Sequence, residues 1–200
     1  MKRLLLTVLL GMGLAGLSVV RAEDKPAAKS ATNEVAVLKF KDYGDMVVEF
    51  FPDVAPKTVE NFKKLATDKF YDGTLSHRLI PGFMVQLGDP LTKDASMESR
   101  WGTGDPGYKI KAEFNPTKHV RGILSMARSR DPDSAGSQFF VCFGTASNLD
   151  GQYTVFGKVI KGMEVLDQLE KVPVGGPQGS KPEKPVKLES VRLVARDSIK

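Results

Sequence analysis

Residues 76–89 read Ser-His-Arg-Leu-Ile-Pro-Gly-Phe-Met-Val-Gln-Leu-Gly-Asp, and within them Arg78 is a cation set among apolar neighbours. Its charge does not titrate near neutrality, so it is a permanent hydrogen-bond donor. The alternation around it reads as strand, turn, strand. Proline at position 81 cannot supply the positive φ that the primed two-residue turns require, so the connection is read as Pro81-Gly82-Phe83. That register puts Ile80 opposite Met84 and Arg78 opposite Gln86 on one face, with Leu79, Val85 and Leu87 on the other. One face then offers a guanidinium, an amide, a thioether and the Phe83 ring. Its chemistry is donation from a fixed cation beside walls that exclude water, where a donor's field is strongest. A surface strand whose arginine merely snorkels would give the same local pattern.

Other chemistries find little support. The chain has two histidines, His77 and His119, and a single cysteine, Cys142. Their spacing builds no zinc or metal-hydrolase site, and His77 is read as structural. Ser76-His77 and Gly136-Ser137 lack the strand-to-helix elbow and the third partner of a hydrolase triad. Gly-x-Gly-x-x-Gly strings occur at 11–16 and 102–107, one in an N-terminal apolar run and the other holding Pro106 in a loop before a strand. Neither opens a helix, and both are read as coincidence. No metal and no cofactor is implied. Cys142 sits in the apolar run 139–143, which predicts a small buried hydrophobe, and an intrachain disulfide is impossible.

The elements that must position Arg78 follow from periodicity. Residues 34–40 alternate Val35, Val37 and Lys39 against Ala36, Leu38 and Phe40, and a turn at 42–45 leads to a strand at 46–51, together a hairpin. Residues 56–68 place Val59, Phe62, Leu65 and Ala66 at helical spacing, with Pro56 in the first turn and Asp53 placed to help cap it. Residues 90–106 read as a long surface loop around Trp101. Short strands are expected at 108–114, 122–127, 137–143 and 154–159, with turns at 115–116, 130–136 and 150–151. A second helix spans 162–171 through Met163, Val165, Leu166 and Leu169. A Gly/Pro/Lys loop, 173–185, then leads into a last strand at 186–195. About eight strands, two short helices and no βαβ alternation predict a mainly β fold, a closed antiparallel barrel. The lysines of 109–118 and 181–187 read as solvated surface.

The chain's 200 residues suit one domain. Residues 1–22 carry Lys2 and Arg3, an apolar run from 4 to 20, and Val20-Arg21-Ala22 at the cleavage position. This is the pattern of a secretory signal peptide, with a membrane anchor as the alternative at the short edge of what spans a bilayer. No cysteine follows the run to carry a lipid. The expected product is exported, to the periplasm or the medium, with no stable membrane insertion after cleavage. It would carry a flexible leader at 23–33, rich in Lys, Ala, Ser and Pro, and one domain over 34–197. The formal charge of +5 falls to +2 once Lys2, Arg3 and Arg21 leave, with 26 basic against 24 acidic side chains. That leaves little attraction for nucleic acid.

Several words of the sequence, in order, resemble the cyclophilins, the family of peptidyl-prolyl cis-trans isomerases, over roughly 35–196. They are Phe-Tyr-Asp-Gly-Thr at 70–74, His77-Arg78 through Asp89, Gly-Ile-Leu-Ser-Met-Ala at 122–127, Gly-Ser-Gln-Phe-Phe at 136–140, Leu149-Asp150-Gly151 and Val155-Phe156-Gly157. The resemblance implies an eight-stranded antiparallel barrel closed by a helix at each end. It also implies an isomerase of X-Pro bonds in proline-containing polypeptides; nothing in the sequence suggests an obligate interface, and a monomer is expected. Arg78 matches the arginine that faces the prolyl amide. Phe83, Met84, Phe140 and Leu149 match the walls of the proline pocket, and Gln86 and Gln138 its polar rim. Ala127 and Arg128 match a segment that holds the substrate through its own main chain. The chain departs from the family where Arg128 replaces a common Asn, where Asn148 replaces a frequent aromatic, and where Tyr153, which can still pack on a proline ring, replaces a common His. Asn148 implies weak cyclosporin binding. Two rival readings are a proline-peptide binding module or holdase that keeps the groove without useful turnover, and a scaffold whose basic loops dock a partner.

Overall fold

The computed structural model describes residues 33–199. The expected signal peptide, and the leader up to residue 32, lie outside that range. Among the described residues ten strands form, β1 Glu34–Phe40, β2 Gly44–Phe50, β3 Arg78–Ile80, β4 Met84–Leu87, β5 Ile123–Met126, β6 Phe139–Cys142, β7 Val155–Lys161, β8 Val174–Gly175, β9 Lys181–Pro182 and β10 Leu188–Ala195. Two helices accompany them, α1 Pro56–Thr67 and α2 Met163–Leu169. Eight strands make one antiparallel sheet in the order β10-β1-β2-β7-β5-β6-β4-β3, and β8 and β9 pair separately. Among the described residues no helix is long and apolar enough to cross a membrane.

The sheet curls but is not the closed barrel expected, because its edge strands β3 and β10 do not ladder together. β3 has three residues, and the amide of Leu79 on it donates to the carbonyl of Ser180, just before β9 (2.8 Å). The seam is spanned instead by a single bridge, Leu75 to Lys187. Gly73 and Ser76 donate to Leu188 and Val186 (2.9 and 2.8 Å), and Leu188 donates back to Thr74 (2.8 Å).

The inner face is apolar on the strand period. Ala36, Leu38 and Phe40 on β1 and Met46 and Val48 on β2 join Leu79, Val85, Leu87, Phe139 and Val141 in one buried cluster. α1 covers it with Val59, Phe62, Leu65 and Ala66, the apolar face its spacing predicted. The Phe62 ring lies 5.0 Å from Tyr71, 5.3 Å from Phe139 and 5.3 Å from Phe156, so the helix plugs one end of the sheet with an aromatic knot. α2 contributes Val165, Leu166 and Leu169.

Two local expectations are overturned. Asp53 does not cap α1. The Glu113 carboxylate does, accepting from the amides of Lys57 and Thr58 (3.0 and 2.8 Å) and from the Thr58 hydroxyl (2.7 Å). A carboxylate there meets the unpaired amides and positive end of the helix from far along the chain. Residues 108–114 form no strand either. Only the Ile110–Ala135 bridge survives, because Ala112 and Glu113 donate to the Asp133 carboxylate and the Thr154 hydroxyl (both 2.9 Å) rather than to a neighbouring strand.

Candidate functional site

The hairpin of β3 and β4 pairs Arg78 with Gln86, Leu79 with Val85 and Ile80 with Met84, the register expected. Gly82 takes φ +75° in the three-residue connection, a conformation that favours glycine. β4 pairs in turn with β6, setting Gln86 opposite Phe140 and Val85 opposite Val141. Alternation then divides each strand between two apolar clusters. Val85, Phe139 and Val141 face the main core, while Met84, Phe140 and Cys142 face outward into a second cluster with Ile123, Ala146, Leu149 and Val155. Ile80, Phe83, Ala127 and Tyr153 pack against this second cluster from its rim.

A cleft of about 160 Å³ opens into that second cluster, lined by Arg78, Phe83, Met84, Gln86, Ala127, Arg128, Phe140, Leu149 and Tyr153. Its floor is buried, Met84 being 1% and Phe140 4% exposed. Drug-sized ligands need roughly 300–1,000 Å³, so this space suits one side chain or ring. Arg78, half-buried at the edge, places Nη1 3.4 Å from Gln86 Oε1 and 4.0 Å from Met84 Sδ. Gln86 Nε2 donates to Gln138 Oε1 (2.9 Å), and Gln138 Nε2 donates to the carbonyls of Gly102 and Gly104 (3.1 and 2.8 Å). Arg78 can only donate and the two carbonyls can only accept, so both amides have one consistent orientation. Gln138 does not line the small cleft. It lies in an adjoining one of about 350 Å³, walled also by Gln86, Ala127, Arg128 and the 102–105 segment.

The 102–104 segment is held by Asp89, whose carboxylate accepts from the amides of Leu91 (2.8 Å) and Gly102. The loop expected at 90–106 is therefore ordered, and two short 3-10 turns, Pro90–Lys93 and Ala95–Arg100, occupy it. On the far side, the Ala127 amide donates to the Gln138 carbonyl (2.9 Å), tying the end of β5 to β6.

Sequence reasoning missed His119, which backs the cleft. Its ring is fully buried and stacks on Phe140 at 6.0 Å, while Nδ1 meets Asp150 Oδ1 and Nε2 meets Ser125 Oγ, both at 3.1 Å. Burial pulls its pKa below the usual histidine range against the opposing pull of Asp150. Hydrogen bonds from the His119 backbone and ring hold the Asp150 carboxyl down to about 2. Nothing in the spacing of a lone histidine in a basic stretch announced this. Ser125 is fully buried, so the Asp150-His119-Ser125 string is packing and not a hydrolase triad. His77 does not line the cleft but a separate pocket with Trp101 and Pro182, and burial lowers its pKa to about 4. Burial also pushes the Cys142 thiol up to about 12, as expected of a hydrophobe. Among the described residues no three His, Cys, Asp or Glu side chains gather where they could hold a metal ion.

Residues 35–193 match the family described as cyclophilin type peptidyl-prolyl cis-trans isomerase. The chain is 48% identical over 142 residues to peptidyl-prolyl cis-trans isomerase-like 3 of Gallus gallus, covering 70% of this chain and 84% of that one. It is 44% identical over 151 residues to a probable peptidyl-prolyl cis-trans isomerase of Brucella abortus, covering 72% and 76%. A crystal structure of a Cryptosporidium parvum cyclophilin type peptidyl-prolyl cis-trans isomerase, determined in the presence of the dipeptide Ala-Pro, superposes with a TM-score of 0.71 at 33% identity, covering 80% of this chain and 99% of that one.

Proposed function

The chain belongs to the cyclophilin-type peptidyl-prolyl cis-trans isomerases and is an isomerase, and on that footing we propose that it turns X-Pro bonds by donation from Arg78 in the cleft on the outer face of β4 and β6. Rotation about such a bond breaks amide resonance, at a barrier of about 18–20 kcal/mol, and needs no nucleophile. As the amide twists, its nitrogen regains a lone pair that can accept a hydrogen bond. A pyrrolidine ring seated against Met84, Phe140 and Leu149 brings that nitrogen to the edge where Arg78 stands. The guanidinium cannot lose its proton near neutrality, and Gln86 keeps it aimed. The apolar walls exclude water, so the donor favours the twisted amide over either planar form, which is what lowers a barrier. The observation that carries the reading is Arg78 held beside an apolar cleft sized for one ring.

The substrates proposed are exposed X-Pro segments of unfolded or folding exported proteins, met by a monomer beyond the cytoplasmic membrane after residues 1–22 are removed. The amino-terminal pattern supports this. A mature protein found in the extracytoplasmic fraction with its first residue at Glu23 agrees with it, and an intact Met1 in the cytoplasm refutes it. Weak cyclosporin binding follows from the exposed Asn148 beside the cleft.

The direct test is the isomerisation rate of a short X-Pro peptide with wild type and Arg78→Ala. One preorganised donor is worth about 3–4 kcal/mol, so the variant is expected to lose about 10²–10³-fold in kcat/KM. An undiminished rate removes Arg78 from the chemistry. A wild type that binds the peptide without accelerating its isomerisation is a proline-binding module instead.

A further inference from the structure

Arg128 stands between the two clefts and lines both. Its Nε donates to the Gln152 carbonyl (2.9 Å), and its Nη1 donates to the carbonyls of Ser129 (2.9 Å) and Arg130 (3.3 Å). Three main-chain acceptors on two loops thus fix the guanidinium. Its centre lies 4.5 Å from the Tyr153 ring centroid and 5.7 Å from that of Phe114. Tyr153 in turn meets Phe140 edge-on, 6.0 Å away at 79°. Asn148 is exposed and gives this rim no aromatic support. Tyr153, a wall of the small cleft, is therefore held by Phe140 on one side and by Arg128 on the other.

We propose that Arg128 is a positioning residue, its side chain tying the 128–130 segment to 152–153 and thereby setting Tyr153 as the outer wall of the proline cleft. The inference rests on reading that cleft as the proline site. It differs from a main-chain hold on the substrate, which any residue at 128 could supply. A planar fork suits the role, since it satisfies separated carbonyls in its plane while stacking flat on a ring, whereas an ammonium is a point charge with no plane to align. A wall grips the pyrrolidine alike in cis, trans and twisted forms, so its loss weakens binding uniformly and moves KM more than kcat.

The test is a double-mutant cycle on Arg128→Ala and Tyr153→Ala, with Arg128→Lys beside it. Turnover of an X-Pro peptide and direct titration of the same peptide by NMR shifts are both measured. Arg128→Ala is expected to raise KM and the peptide Kd about 5-fold with kcat within about 2-fold. Tyr153→Ala is expected to match or exceed that, and the double variant to be no worse than Tyr153→Ala alone. Arg128→Lys is expected to stay near the alanine value. Multiplying effects in the double variant, full recovery with lysine, or a fall in kcat at unchanged KM would each overturn the proposal. If Arg128→Ala does not stay folded, Arg128→Lys keeps the aliphatic stem and its peptide affinity alone decides. The titration needs no turnover, so loss of the isomerase reading and loss of the clamp are seen separately.

Discussion

Gln86→Leu removes the acceptor that aims Arg78 while leaving the apolar walls and the arginine itself in place. The contact it deletes is charge-assisted but long at 3.4 Å, against the usual 2.7–3.2 Å or so, which puts it at the lower end of the ~1.5–3 kcal/mol range for such bonds. At about 1.5 kcal/mol, kcat/KM for an X-Pro peptide is expected to fall about 10-fold, well short of the loss for Arg78→Ala. The same substitution removes the donor to Gln138 Oε1. Gln138 cannot turn to compensate, because its amide is committed to the carbonyls of Gly102 and Gly104. That loss falls on stability, about 1 kcal/mol or a melting temperature lower by about 3 °C. The discriminating measurement is the rate in an Arg78→Ala background. If Gln86 acts only through the guanidinium, Gln86→Leu has no further effect there. Full activity of the single variant, or a second 10-fold loss without Arg78, would refute the reasoning.

Glu113→Ala leaves the first amides of α1 and the buried Thr58 hydroxyl without their acceptor. A loss of about 2–3 kcal/mol is expected, read by calorimetry as a melting temperature lower by about 8 °C, with activity per folded molecule at low temperature unchanged. His77 has its pKa lowered to about 4 by burial and the neighbouring Arg78, against Asp89. A depressed histidine contributes stability above its unfolded value near 6.5 and loses it as pH falls from there through 4. His77→Phe also removes a buried Nδ1 that has no hydrogen-bond partner. Its stability relative to wild type is therefore expected to rise steadily between pH 6.5 and 4 in denaturant titrations, by up to about 3 kcal/mol. A pH-independent difference would show that His77 is not neutralised by burial.

The central hairpin was legible because strand alternation and the chemistry of proline leave little freedom: Pro81 excluded the two-residue turns, and Arg78 opposite Gln86 followed. The same period divides 139–142 between core and cleft in the structure. What escaped is carried by side chains acting over long sequence separations. Nothing local marks Glu113 as the cap of a helix 55 residues earlier, or His119 as the backing of Phe140. The strand expected at 108–114 failed because Asp133 and Thr154 took its amides, a competition that apolar pattern does not encode. Barrel closure failed for a related reason. The edge of β3 bonds to an intervening loop whose composition read only as connection.

Because neighbouring residues of β4 and β6 serve opposite faces, the tolerance of this protein to change is itself directional. Replacing Met84 or Phe140 reshapes what is gripped without touching the aromatic knot behind them, so specificity can drift while the scaffold stays put. Inserting or deleting one residue in either strand would trade every wall for a piece of scaffold at once. Divergent descendants are thus expected to vary in side-chain identity at the cleft-facing positions of these two strands and scarcely at all in strand length, with gains and losses of residues confined to the loops.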